Sequence, residues 1–178
     1  MYGLIALFDN ITEQFIKNIW SGLKENFISS YAYEVEDRRP HITIASYNHL
    51  DVDKFISQIN AKYKSQPAID IKLSTLGSFL NSGTLFLAPT ITRDLNEFHS
   101  KHHTHFQVFN DNPNSIYLPN HWIPHCTLAN RLSPQKLTEA FSFCSKLCSE
   151  RHGKITEIAL IDVSVKSKAP IIYSIKLT

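Results

Sequence analysis

The sequence is short of cysteine, of net charge and of long apolar runs, and each shortage closes off a class of protein. Its three cysteines are Cys126, Cys144 and Cys148. An odd count without a spaced framework argues for reduced thiols and a cytoplasmic home. Cys144 and Cys148 would stack at i, i+4 on a helix as packing residues. The formal net charge is only +2. A protein that tracks a long nucleic-acid backbone usually shows a stronger basic excess, whereas a small nucleotide or one RNA end is compatible with this balance. No segment approaches the ~18 consecutive apolar residues of a membrane span. The chain opens on a strand-like Tyr2–Phe8 run with no basic region before it, and Asp9 and Asn10 end that run. A cleaved signal peptide is therefore not expected.

What is present is ordinary in amount and informative in order. With 178 residues, 43% hydrophobic and 19% charged, the chain can build a real core. Strand and helix signals alternate. Residues 2–8 read as a strand. Residues 11–26 carry Ile11, Phe15, Ile16, Ile19, Trp20, Leu23 and Phe27 at helical spacing. Residues 31–36 and 40–46 read as strands, and Asp51 caps a helix to about residue 64. A strand follows at 69–73, a turn at Asn81-Ser82-Gly83, and another strand at 85–87. The order then restarts with a helix over 92–105, an Asn/Pro-rich loop at 110–115 and a short strand near 116–118. Residues 123–129 follow, then a helix opened by Ser133-Pro134, and strands near 155–165 and 171–177.

One phrase is said twice. Pro40-His41-Ile42-Thr43-Ile44-Ala45 returns as Pro124-His125-Cys126-Thr127-Leu128-Ala129, with the histidines 84 positions apart. Corresponding elements keep shifts of roughly 80 to 86 positions throughout. This predicts an α+β fold over residues 1–178. It would have two pseudo-symmetric lobes of antiparallel sheet flanked by helices, a central cleft, repeats of about 1–80 and 84–165, and a last strand at 171–177. Pro40 and Pro124 read as residues at the start of a strand.

A His and a Thr two apart on a strand point to one face, roughly 6.5–7 Å apart. Two such pairs across a cleft suit a phosphodiester. The attacking oxygen must lose a proton while the leaving oxygen, beyond phosphorus, gains one. Histidine can serve either role because its unperturbed pKa is near 6.5. A Thr hydroxyl beside each imidazole can hold a phosphate oxygen.

These paired segments, and Trp122-Ile123-Pro124-His125-Cys126-Thr127-Leu128-Ala129-Asn130 above all, resemble the signature of the 2H phosphoesterase superfamily. Its 2′-5′ RNA ligase-like and cyclic nucleotide phosphodiesterase members are the nearest in pattern. The resemblance implies His41 and His125 as the acid–base pair and Thr43 and Thr127 as phosphate-binding hydroxyls. It also implies chemistry without a metal or other cofactor, acting on 2′,3′-cyclic phosphates or 2′-5′-type linkages of nucleotides or RNA ends. Cys126, at the variable motif position, should face away from the cleft. Hydrolysis is expected over ligation, with no membrane or stable protein partner and a monomeric chain.

Other residues are candidates with plain alternatives. Arg38, Arg39 and Arg131 flank the motifs and could reach a phosphate bidentately, or stand as solvated loop charges. Tyr47 and Trp122 could stack on a base, or pack between lobes. The run from His99 to His105 offers i, i+3 and i+4 imidazoles, a possible zinc spacing with Glu97 nearby. An exposed polar helix face is the expectation there. Two rival functions remain: a nucleotide- or RNA-binding module without catalysis, and an ATP-independent 2′-5′ RNA ligase.

Overall fold

The computed structural model describes residues 1–164 and 167–178. Among these, four α-helices form where the sequence starts them: α1 (Asn10–Glu25), α2 (Val52–Tyr63), α3 (Arg93–His105) and α4 (Pro134–Leu147). Each opens on a side-chain cap. Asp9, Asp51, Thr92 and Ser133 accept from the backbone N–H three residues on, which satisfies a donor the helix cannot pair internally. Pro134 sits in the first turn, where its missing N–H costs nothing.

Seven strands of the described residues form one antiparallel sheet: β1 (Tyr2–Phe8), β2 (His41–Tyr47), β3 (Ile69–Phe79), β4 (Thr84–Pro89), β5 (Cys126–Ala129), β6 (Arg151–Asp162) and β7 (Ile171–Lys176). Their order is β2-β1-β6-β3-β4-β5, with β7 paired to β6. The pairing maps onto itself when β1, β2 and β3 are exchanged for β4, β5 and β6. Thus β1 lies between β2 and β6, while β4 lies between β5 and β3. The third strand of each half is paired to the first strand of the other, and β3 and β6 join at Ile69–Leu73 and Arg151–Ile155.

All four helices contribute to a core shared with the sheet. Ile16, Ile19 and Leu23, Phe55 and Ile59, Leu95 and Phe98, and Ala140 and Cys144 pack with Leu4, Ala6, Ile42, Ile44, Leu85, Leu87 and Leu128. Each such large aliphatic or aromatic side chain taken fully from water contributes roughly 1.5–3 kcal/mol. Residues of opposite parity point the other way. Ile5 and Leu7 join Ala159 and Ile161 in a second, smaller cluster, and they pair with Thr43 and His41. The motif side chains therefore stand on the sheet face away from the main core.

Two expected strands do not form. Residues 31–36 hold a 3₁₀ turn at Tyr31–Tyr33, and residues 116–118 lie in turns. Their Tyr, Val and Ile content suits a strand, but no strand among the described residues offers either a ladder. Phe27 and Asp37, with φ of 55° and 52°, turn the chain on either side of the first segment. The strands expected at 69–73 and 155–165 instead run as Ile69–Phe79 and Arg151–Asp162, so both are long enough to serve both halves. Val165, at the end of the second expectation, lies outside the described residues.

Candidate active site

The two motifs meet in a cleft of about 680 Å³ lined by His41, Thr43, His125 and Thr127, with Tyr31 and Tyr117 among the walls. No carboxylate is among the described lining residues. The cleft thus offers hydroxyls, imidazoles and phenols to an anion without a like charge to repel it. Cys126 is 1% exposed and packs in the main core, on the opposite side of its strand from the cleft.

Both imidazoles are held alike. Nδ1 of His41 is 2.7 Å from the Arg39 carbonyl, and Nδ1 of His125 is 2.7 Å from the Ile123 carbonyl. A carbonyl can only accept, so each Nδ1 carries the hydrogen and each neutral ring keeps its lone pair on Nε2. Burial pushes the His41 pKa down to about 4; the Arg38 and His125 charges add to that, while the Arg39 carbonyl opposes it. Burial lowers the His125 pKa as well, against its hydrogen bond to Ile123.

The strands that carry the threonines are gripped by indoles. Trp20 on α1 donates to the Thr127 carbonyl at 3.2 Å, and Trp122 donates to the Thr43 carbonyl at 2.9 Å. Two phenols, Tyr31 and Tyr117, line the same cleft as the threonines. Burial raises both tyrosine pKa values, and the Arg38 charge offsets part of that rise at Tyr31.

The remaining candidates separate. Arg38 lies beside the site, its guanidinium 3.9 Å from the centre of the Tyr31 ring, in a side cavity of about 330 Å³ that also touches Tyr31 and His41. Arg39 is spent elsewhere, on Glu13 at 2.7 Å and Glu157 at 3.2 Å. Arg131 pairs with Glu34 and does not line the cleft. Tyr47 is 1% exposed, with its hydroxyl 2.9 Å from His102, so it cannot stack on a ligand. Trp122 also turns from the cleft, with its ring flat on His99 at 3.8 Å.

The histidines of α3 correct the expectation of an exposed polar face. His99, His102 and His103 are 1%, 0% and 6% exposed. His102 bridges the hydroxyls of Tyr47 and Tyr63 at 2.9 and 2.8 Å. His99 donates from Nε2 to the Tyr117 carbonyl at 2.8 Å, and His103 from Nε2 to the Ile44 carbonyl at 3.1 Å. These nitrogens are spent on hydrogen bonds. Among the described residues, no group of three His, Cys, Asp or Glu side chains is placed to hold a metal ion.

Cleft residues with no role expected from the sequence include Tyr31, Tyr117, His121 and Asn130. The Asn130 Oδ1 accepts from Thr84 Oγ1 at 2.7 Å and from the Arg131 N–H at 2.8 Å, which leaves its amide N–H groups as donors. Tyr31 and Tyr117 stand 86 positions apart, close to the spacing of the histidines, so the repeat itself carried their signal.

Family match, fold and paired motifs together place the chain in the 2H phosphoesterase superfamily. The chain belongs to the 2′-5′ RNA ligase superfamily, whose family model matches residues 9–166, and it is accordingly an enzyme of the phosphoryl-transfer kind. Escherichia coli LigT, solved with 3′-AMP, is similar over 99% of this chain and 97% of its own, at 16% identity and a TM-score of 0.68. A structure described as a phosphoesterase matches over 99% and 97% at 13% identity and a TM-score of 0.64. The protein TT0787 of Thermus thermophilus matches over the same shares at 12% identity and a TM-score of 0.61. These structural likenesses are of fold. No curated protein matches the chain by sequence. Among the described residues, no helix is long and apolar enough to cross a membrane.

Proposed function

We propose that this protein hydrolyses 2′,3′-cyclic phosphates or 2′-5′-type phosphodiesters on nucleotides or RNA ends, through His41 and His125 and without a metal. One observation carries this: two imidazoles of the same tautomer share one cleft, each with a threonine two residues on and no acid among the described wall residues. The nucleotide 3′-AMP held by LigT is in keeping with that substrate class.

In this reading His41, the imidazole driven down to about 4, is the neutral partner and starts as base, and His125 is the acid, protonated once substrate is bound. The bound phosphodiester anion favours that charged form. His41 Nε2 takes a proton from water as the water oxygen bonds to phosphorus. The bond from phosphorus to the leaving ribose oxygen breaks, and His125 Nε2 protonates that oxygen. Thr43 and Thr127 donate to the non-bridging oxygens as their charge grows. Ligation is the same displacement with an RNA hydroxyl in place of water as the nucleophile. At ~55 M water, hydrolysis prevails unless the RNA positions its own nucleophile.

In this proposal the chain works as one bilobal, monomeric unit of two repeats, about 1–80 and 84–165. The self-mapping strand pairing supports the duplication, and free thiols at Cys126, Cys144 and Cys148 suit a reducing cytoplasm. The test is a panel of 2′,3′-cyclic mononucleotides, 2′-5′ dinucleotides and ADP-ribose cyclic phosphate, assayed with EDTA present. Turnover of at least one is expected. No turnover of any, or activity abolished by EDTA, overturns the proposal.

A further inference from the structure

The cleft repeats its motif on both sides, but one end carries a polar group that the other lacks. Asn130 follows β5 directly and lines the cleft with His125 and Thr127. The residue 84 positions before it is Ser46. Ser46 does not line the cleft, and its Oγ lies 3.1 Å from Ser115 Oγ.

The Asn130 carboxamide has one orientation. Its Oδ1 is 2.8 Å from the Arg131 backbone nitrogen, and an N–H can only donate, so the oxygen and not the amide nitrogen faces that way. Thr84 Oγ1 donates to the same oxygen at 2.7 Å, and Thr84 is buried, so the anchor is covered from water. Both lone pairs of the oxygen are taken. What the side chain can offer a ligand is its NH2, two donors and no acceptor.

The same anchor leads to His125. Thr84 is paired with Phe79 across the β3–β4 ladder, and the Phe79 ring lines the cleft and meets His125 edge-on at 4.7 Å. An aromatic wall thus joins Asn130 to the imidazole that faces the leaving ribose oxygen, and a nucleobase can lie on such a ring. Asn130 stands three residues past Thr127, roughly 10 Å along an extended chain. With the phosphate at Thr127, the sugar comes next and the base edge farthest from the sugar comes last. At that edge uracil and guanine carry a keto oxygen where cytosine and adenine carry an amino group. A locked NH2 can donate to the keto oxygen, whereas it meets the amino group donor against donor.

We infer that Asn130 is a specificity-determining residue that donates to the keto oxygen of a uracil or guanine base seated against Phe79. This rests on the proposed hydrolysis of 2′,3′-cyclic phosphates with His125 as acid. The test is kcat/KM for the four 2′,3′-cyclic mononucleotides with the wild type, Asn130→Ala, Asn130→Asp and Phe79→Leu. The wild type is expected to favour uridine over cytidine, and guanosine over adenosine, about tenfold each, the scale of one hydrogen bond. Asn130→Ala should bring both ratios near one. Asn130→Asp keeps an oxygen for Arg131 and Thr84 and puts an acceptor where the donor was. Its charge should slow all four substrates together by repelling the phosphate, so the ratios carry the answer, and both should invert. Phe79→Leu should raise KM for all four alike and leave the ratios standing; a KM that does not move would overturn the seat on that ring. Wild-type ratios near one, or ratios that Asn130→Asp leaves in place, would overturn the role of Asn130 while hydrolysis stands. Turnover of none of the four would remove the cyclic-phosphate reading, and the inference with it.

Discussion

The two sides of the cleft share a motif and differ in surroundings. His41 and His125 use the same nitrogen on the carbonyl two residues back. His41, however, stands on an aliphatic floor, beside Leu7 in the small cluster of Ile5, Leu7, Ala159 and Ile161, with the Arg38 charge near it. His125 is walled by rings, with Phe79 edge-on at 4.7 Å and Phe86 at 5.3 Å. The histidine types on paper are interchangeable, so the neighbours must decide which ring holds the proton. A cation beside one imidazole and aromatic rings beside the other push the proton toward His125.

The strongest way to break this comparison is to remove either imidazole. His41→Ala and His125→Ala should each lower turnover at least ~10²-fold, the usual scale for one general acid or base. The pH profile of kcat/KM should be bell-shaped, with the acidic limb set by the neutral base. Replacing Arg38 with Ala removes a positive charge that opposes protonation of His41, so the acidic limb should move to higher pH while the alkaline limb stays. Movement of the alkaline limb instead would reverse the assignment of base and acid.

A smaller effect should come from the aromatic wall. Phe86 lies across Gly77, where an added Cβ would sit 2.8 Å from two ring atoms. Gly77→Ala would press Phe86 onto its neighbours, which include His125. Overpacking of this kind costs about 1–3 kcal/mol. The expected result is a lower melting temperature together with a lower kcat, with the acidic limb set by His41 unmoved. An unchanged kcat at a lowered melting temperature would show that the ring wall matters to the fold alone.

The smallest effect per step is the pH dependence of stability. His102 is buried between two phenols, and burial, followed by the charges of His103 and His99, holds its pKa well below the usual 6.5. The folded state therefore stays neutral there while the unfolded state binds a proton below about pH 6.5. Stability should be full above that pH. It should fall as pH drops below about 6.5, by roughly 1.4 kcal/mol per pH unit for each such histidine. His102→Gln should flatten the slope of denaturation free energy against pH by about one proton's worth. An unaltered slope would mean that His102 is already charged in the folded protein.

How much of this was legible in the sequence depends on whether the partner of a residue was local. The helix starts were, because Asp51 and Ser133 pair with N–H groups three residues away. The motif strands were as well, because alternation alone sends His41 and Thr43 one way and Ile42 and Ile44 the other. The histidines of α3 were not. Their polar look on paper gives way to burial because their partners, Tyr47, Tyr63, Ile44 and Tyr117, come from other elements. Tyr47 and Trp122 look like stacking surfaces in the sequence for the same reason: what claims them lies far along the chain. Tyr31 and Tyr117 could have been found by applying the repeat spacing to every residue around the motifs, and not to the motifs alone.

The crosswise pairing of β3 and β6 has a consequence for how the chain could have come about. In a chain holding only the first repeat, β1 would lack its β6 neighbour, and β3 would lack both β4 and β6. Such a fragment would show open backbone edges, the template by which strands recruit other chains. Two identical fragments could close those edges on each other by lending each other their third strands, which is a strand-swapped dimer. Fusing the two copies end to end turns that partnership into a single polypeptide. The turn at Asn81-Ser82-Gly83 stands between β3 and β4, where such a join would fall. Gly83, with φ of +63° and its missing side chain facing the Leu132 backbone, holds the join where no larger residue would fit.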